Sequence, residues 1–259
     1  MQADKGFVIV VGAGPGDPDL ITVAGVRALE QASVVFYDYL IAPSLLEYAK
    51  NAELILVGKS RGYHSKRQHD INDMLVRYAQ EGHKVVRLKG GDPAVFGRLG
   101  EELEFLKAHN VSYRVIPGVS SATSATIYAG IPLTYREMAR SVAFVTATTF
   151  ATIDSLGELH IPVADTIVFF MPLAHLEALT DRVANTPGFS VSTPAAVISS
   201  GTTHAHHQVV GTLATVSEKT RDAKLESPAL LVVGEVCKFS DQLQWFSPVP
   251  GDTSPYIQR

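Results

Sequence analysis

The sequence predicts two successive α/β domains, the first built on a parallel sheet and the second on a mixed one. Two patterns carry this expectation. From Phe7 to Ile116, five short apolar, β-branched runs alternate with stretches of helical periodicity, as in a parallel sheet with crossover helices. Beyond Gly130-Ile131-Pro132-Leu133, five further strand-like runs follow, and only some leave room for a helix between them. The expected division is therefore residues 1–133 and 134–259, with the second domain completing a ligand cleft.

In chain order, the run from Phe7 is a strand that enters the glycine loop Gly12-Ala13-Gly14-Pro15-Gly16-Asp17. Residues 19–32 have apolar positions at helical spacing and read as the first helix. A second strand ends at Asp38, residues 45–49 form a short helix, and a third strand covers residues 53–58. A basic loop then leads to a helix near residues 70–80. The fourth strand, with Val85, Val86 and Leu88, runs into Gly90-Gly91-Asp92-Pro93, where proline ends any ladder and glycine lets a ligand approach the main chain. Residues 100–110 are helical, residues 112–118 a fifth strand ending in Pro117 and Gly118, and residues 120–130 a small-residue helix with Ser120 and Ser121 as cap candidates.

The second set of strands falls at residues 141–150, 165–172, 193–199, 206–213 and 228–236. The third and fourth of these are close enough to pair antiparallel. The proline-rich tail from Ser247 is expected to pack loosely.

Composition narrows the function classes. The chain has 259 residues and 46% hydrophobic content, enough for a sizeable core. No apolar run approaches the roughly 18 residues that span a bilayer, and the N-terminus lacks signal-peptide character, so a cytoplasmic protein without membrane contact is expected. A single cysteine, Cys237, excludes an intrachain disulfide and a cysteine metal cluster. Between Lys59 and Arg98 nine basic residues stand against four acidic ones, in a chain of net charge −4. Such a basic segment in an acidic protein suits an anionic small molecule, and its lack of interleaved aromatics argues against nucleic acid.

Several motifs invite specific chemistry. Gly12, Gly14 and Gly16 approximate a dinucleotide fingerprint, but the spacing is wrong and Pro15 removes a backbone donor. His204 to His207 reads as a loop or strand edge rather than a metal site, since no acid or cysteine joins it. The run Gly118-Val119-Ser120-Ser121-Ala122 lacks the closing glycine of a nucleophile elbow. Arg98 and Glu101 are spaced to pair on one helix face.

Taken together, VGAGPGDPDL at the start, YDYL at Asp38, VGK at Lys59, the Gly62 to Gln68 run, VVRLKGGDP, FGR-x-GEE, PGVSSA, YAGIPLT, SPALLVVGEV and QWFS resemble the tetrapyrrole methyltransferases, and within them the uroporphyrinogen-III C-methyltransferases. The resemblance covers nearly the whole chain in order. It implies transfer of methyl groups from S-adenosylmethionine to carbons 2 and 7 of uroporphyrinogen III, giving precorrin-2 and S-adenosylhomocysteine, in a homodimer. It places cofactor contacts at Pro15, Gly90, Gly91, Asp92, Val95, Ser120, Ser121, Met171 and Gly201. Asp38 and Lys59 match the proton acceptor and donor positions, and Arg98, Glu101 and Arg136 the substrate site. No metal is implied.

The chain departs from the family pattern at Ser60, Arg67, Ala94, Leu99, Tyr135, Ala147, Thr148 and Pro172, mostly on the expected tetrapyrrole side. Arg61 is placed to compensate for the arginine usual at position 60. A methyltransferase for a later precorrin and a cofactor-binding protein that has lost turnover are the alternative readings.

Overall fold

The computed structural model describes residues 6–58, 68–147 and 159–248. The chain divides into two compact units, Met1–Ser120 and Ser121–Arg259. The division falls one helix earlier than the expected boundary at Thr134. The reason is packing: the small-residue helix contributes Ala122, Ala125 and Ala129 to a core that also contains Val168, Ala196, Ile198 and Val232 of the second sheet.

The first unit holds five strands, β1 (Phe7–Gly12), β2 (Val34–Tyr37), β3 (Glu53–Leu56), β4 (Lys84–Lys89) and β5 (Ser112–Ile116). They form one sheet in the order β3-β2-β4-β1-β5, and every pairing is parallel. Its helices are α1 (Val23–Glu30), α2 (Gln68–Gln80) and α3 (Leu99–Ala108). Both faces are covered, which explains the continuous apolar strand runs. Val8, Val10, Val34, Phe36 and Val85 pack with Ile71, Leu75 and Leu106 of α2 and α3. The opposite residues Val11, Val35, Val86 and Leu88 pack with Ala28 and Leu29 of α1.

The first helix is shorter than its periodicity suggested. Pro18–Leu20 form a 3₁₀ turn capped by Asp17, and α1 starts only after Thr22, whose hydroxyl accepts from the Gly25 amide at 3.0 Å. The short helix expected at residues 45–49 is likewise a 3₁₀ segment, Pro43–Tyr48.

The second unit contains α4 (Ser121–Tyr128) and a sheet of β6 (Val142–Thr146), β7 (Thr166–Phe170), β8 (Pro194–Ser199), β9 (His207–Thr212) and β10 (Ala229–Val233). The order is β6-β7-β10-β8-β9; β6 and β7 pair parallel, and the remaining pairs, including the expected β8–β9 pair, are antiparallel. Helices α5 (Leu176–Ala184) and α6 (Val216–Asp222) cover one face through Leu179, Val183 and Val216, and a short α7 (Ser240–Leu243) follows β10. Each sheet therefore has the composition read from the sequence, one parallel and one mixed.

Candidate active site

In a parallel sheet all strands end on the same edge, and ligands bind outside that carboxyl edge. In the first unit this edge gathers Ala13–Asp17 after β1, Asp38 after β2, Gly58 after β3, Gly90–Asp92 after β4 and residues 117–120 after β5.

Three of these loops are joined through their main chains. Gly14 donates to the Gly91 carbonyl at 3.3 Å and Gly91 donates to the Gly14 carbonyl at 2.7 Å. Both glycines have positive φ, 83° and 67°, which L side chains rarely adopt. A Cβ on Gly118 would lie 2.2 Å from the Gly91 carbonyl oxygen, so the third loop packs at backbone contact. Asp92 completes the junction, its Oδ1 accepting from the Ala94 amide at 2.7 Å and its Oδ2 from the Gly118 amide at 3.1 Å. Gly90, by contrast, is exposed, and a Cβ there would meet nothing nearer than Leu40 Cβ at 3.7 Å. Pro15 and Val95 are half-buried beside this junction, while Ser120 is buried at the end of its loop. Gly14 thus serves loop pairing, and the loop passes through a 3₁₀ turn before any helix begins, unlike a dinucleotide fingerprint.

Asp38 sits where β2 ends. A Cβ on Gly58, at the end of the neighbouring strand segment, would lie 3.3 Å from Asp38 Oδ1, so the residue preceding Lys59 abuts this carboxylate. Lys59 itself lies outside the described residues, with Ser60, Arg61, residues 62–67 and Thr148. Asp38 accepts from Arg87 Nη2 at 3.2 Å on each oxygen.

Arg87 and Lys89 occupy alternate positions of β4 and share the face of Val85, toward α2 and α3. Both are buried, at 3% and 5% exposure. Arg87 Nε donates to Glu102 Oε1 at 3.3 Å, Lys89 Nζ donates to the same oxygen at 2.8 Å, and Gln68 Nε2 donates to it at 3.1 Å. Glu102 is fully buried on α3, and its Oε2 has no hydrogen-bond partner among the described residues. Burial pulls the Lys89 ammonium below the usual lysine value; the Arg87 charge adds to this and Glu102 opposes it.

Two residues that the sequence counted within the basic segment are therefore interior and neutralised by carboxylates. Their alternation in Lys84-Val85-Val86-Arg87-Leu88-Lys89 was the available signal: two cations stand on the same face as a core valine. Their partner Glu102 carries no such mark, because its neighbour Glu101 has the same side chain and faces solvent.

Arg98 takes a left-handed conformation, φ 56°, at the start of α3, and pairs with Glu101 through Nε at 2.9 Å and Nη2 at 2.5 Å. Both are half-exposed, and the hydrogen bond from Arg98 holds the Glu101 carboxyl below its usual value. Leu99, a departure from the family pattern, packs against the first unit's core, and Ala94 is exposed.

In the second unit, Ser121 opens α4. Arg136 is exposed in a turn closed by two hydrogen bonds between Tyr135 and Ala139. Tyr135, another departure, stacks on Phe239 with ring centroids 4.7 Å apart. Met171 follows β7 with a left-handed φ of 55°, uncommon for a residue other than glycine, and is 45% exposed. Gly201 lies between Ser200 and Thr202, whose φ values are 48° and 71°. A Cβ on Gly201 would stand 2.3 Å from Ala125 Cβ.

His206, from the histidine run, is buried beside this loop. Its Nδ1 accepts from the Thr202 amide at 3.3 Å, so Nε2 donates to Gln208 Oε1 at 2.9 Å, and Gln208 in turn donates to the Ala129 carbonyl at 3.2 Å. A surface cavity of about 690 Å³ lined by Leu173, His175, Glu177, Thr220 and Arg221 also lies in this unit and holds none of the residues above.

A parallel sheet with interlocked glycine loops on its carboxyl edge, followed in the chain by a mixed-sheet unit, defines a two-unit α/β protein. Residues 8–217 match the tetrapyrrole (corrin/porphyrin) methylases, and the chain belongs to that family. It is 47% identical over 241 residues to a uroporphyrinogen-III C-methyltransferase of Methanocaldococcus jannaschii, covering 91% of this chain and 98% of the relative. It is 44% identical to a siroheme synthase of Azotobacter vinelandii over 93% of this chain, but spans only 52% of that longer protein. Among solved structures, uroporphyrin-III-C-methyltransferase from Thermus thermophilus superposes with a TM-score of 0.80 at 36% identity, covering 94% of this chain and 98% of that one. The same Thermus enzyme complexed with S-adenyl homocysteine gives 0.74 at 34% identity, over 90% and 99% of the two chains.

Proposed function

We propose that this chain catalyses S-adenosylmethionine-dependent C-methylation of uroporphyrinogen III at carbons 2 and 7, giving precorrin-2. The observation that carries the reading is the carboxyl edge of the first sheet, where an open glycine main chain and a held carboxylate sit at the ends of adjacent strands, β4 and β2. The near full-length likeness to two methyltransferases of that substrate supports it.

The residues fit the methyl donor. Gly90 offers main chain unobstructed by side chains, and Gly91 and Asp92 are rigidly placed by their bonds to the neighbouring loops. In this reading Pro15, Gly90, Gly91, Asp92, Val95, Ser120, Ser121, Met171 and Gly201 are the donor-binding residues. When bound, S-adenosylmethionine supplies a sulfonium methyl to an electron-rich pyrrole carbon, a displacement that needs alignment more than a strong base. Asp38 accepts the proton that the methylated ring then releases, the bonding electrons staying in the macrocycle, and Lys59 acts as proton donor. Arg98, Glu101 and Arg136 contact the acceptor, whose carboxylates suit arginine forks. The enzyme works as a cytoplasmic homodimer.

Incubation with uroporphyrinogen III and methyl-labelled S-adenosylmethionine tests the reading, with doubly labelled precorrin-2 as the expected product. Absence of labelled product despite donor binding would leave a binding protein without turnover, and label appearing only with a later precorrin would move the substrate along the pathway.

A further inference from the structure

The buried charge network offers an explanation for how Asp38 is held, and it rests on the reading of Asp38 as proton acceptor. Asp38 stands at the end of a four-residue strand with its side chain 26% exposed, and the Arg87 fork meets its carboxylate. That fork is itself immobilised. Nη1 donates to the Leu88 carbonyl at 3.2 Å, Nε donates to Glu102, and Nη2 is left for Asp38. Glu102 is fixed in turn by Lys89 and Gln68. Carboxylates and cations alternate along Asp38, Arg87, Glu102 and Lys89, so the four together carry no net charge. A buried arrangement of this kind is expensive to build, and a well-packed apolar cluster would serve stability as well. Its geometry makes sense if the end of the chain of contacts, the carboxylate at the sheet edge, is what must be aimed.

We propose that Arg87 is a positioning residue for methyl transfer: backed by Glu102 and Lys89, it orients the Asp38 carboxylate toward the acceptor. The planar guanidinium is required because one side chain must reach the Leu88 carbonyl, Glu102 and Asp38 at once. A lysine carries the charge but presents it as a single point. The contact also ties α3 to the end of β2, since Glu102 follows directly on Glu101, a proposed substrate residue.

The test is a double-mutant cycle on the full chain with Arg87→Lys and Asp38→Asn, reading kcat and KM with labelled donor, S-adenosylhomocysteine affinity and thermal midpoint. Arg87→Lys is expected to lower kcat by on the order of 10- to 100-fold, the scale of a misplaced catalytic group, with donor affinity unchanged. In the Asp38→Asn background it should have no further effect on kcat, because its target is already disabled. An equal loss in both backgrounds, or wild-type kcat in Arg87→Lys, overturns the proposal while leaving Asp38 as acceptor. Wild-type kcat in Asp38→Asn alone overturns the acceptor reading and the positioning role with it. Should Arg87→Lys fail to fold, Gln68→Leu, which removes a neutral donor to Glu102 and keeps all four charges, is read in the same cycle. A smaller kcat loss that vanishes with Asp38→Asn sustains the proposal, and a loss that persists overturns it.

Discussion

Gly201 packs so close to Ala125 that a Cβ built on it would stand 2.3 Å from that of Ala125. Two Cβ atoms cannot share this space. Gly201→Ala should therefore overpack the junction of α4 with its loop and cost about 1–3 kcal/mol, lowering the melting temperature by several degrees. Ala125→Gly, though unfavourable in a helix by roughly 1 kcal/mol, should reduce the cost of Gly201→Ala when the two are combined. Differential scanning calorimetry of the four proteins decides, and strict additivity would remove the contact as the cause.

Asp92 serves the loops through both oxygens. Asp92→Asn keeps one acceptor and turns an N–H₂ group toward a backbone donor, either Gly118 or Ala94. Loss of one such bond is worth roughly 0.5–1.5 kcal/mol, so S-adenosylhomocysteine affinity should fall about 2- to 10-fold, read by calorimetric titration. Unchanged affinity would separate Asp92 from the donor site.

Neighbouring glutamates should behave oppositely. Glu102→Gln leaves Arg87 and Lys89 buried without their shared counter-charge, at a cost of about 3–5 kcal/mol. Glu101→Gln removes half of an exposed pair and should leave the urea midpoint unchanged while raising KM for the tetrapyrrole. Equal midpoints for the two variants would contradict the burial of Glu102.

His206 predicts a pH dependence. Burial, opposed by its bond to Gln208, pulls its imidazole below the ordinary 6.5, so the unfolded chain takes up a proton before the folded one does. Its contribution to stability is complete above pH 6.5 and is lost as the pH falls through 6.5 toward the lowered native value. His206→Asn should flatten the fall in melting temperature between pH 6.5 and 5 relative to the parent, and identical slopes would count against this assignment.

Most of the architecture was legible because it is local. All ten strands among the described residues show as β-branched or apolar runs, and the close spacing of β8 and β9 announced their antiparallel pairing. The helix after β1 was misjudged because a periodic pattern does not reveal that Thr22 caps afresh after a 3₁₀ turn. The domain boundary was misplaced because Ala122, Ala125 and Ala129 say that a helix packs closely but not against which sheet. The site shows the same divide. Asp38 and Gly90 could be placed at strand ends from sequence, but the meeting of residues 38, 68, 87 and 102 depends on three crossovers and leaves no trace in spacing. A cation count along the chain then mistook interior charges for a ligand-steering surface.

The reciprocal Gly14–Gly91 pair gives these loops a mechanical character that their composition conceals. Glycine-rich turns are usually pictured as supple, folding around whatever arrives. Here two of them form a miniature ladder, braced by a third through Asp92. A donor bound as proposed, against Gly90, would therefore meet main chain that has already surrendered its conformational freedom during folding, and little further entropy would be lost on association.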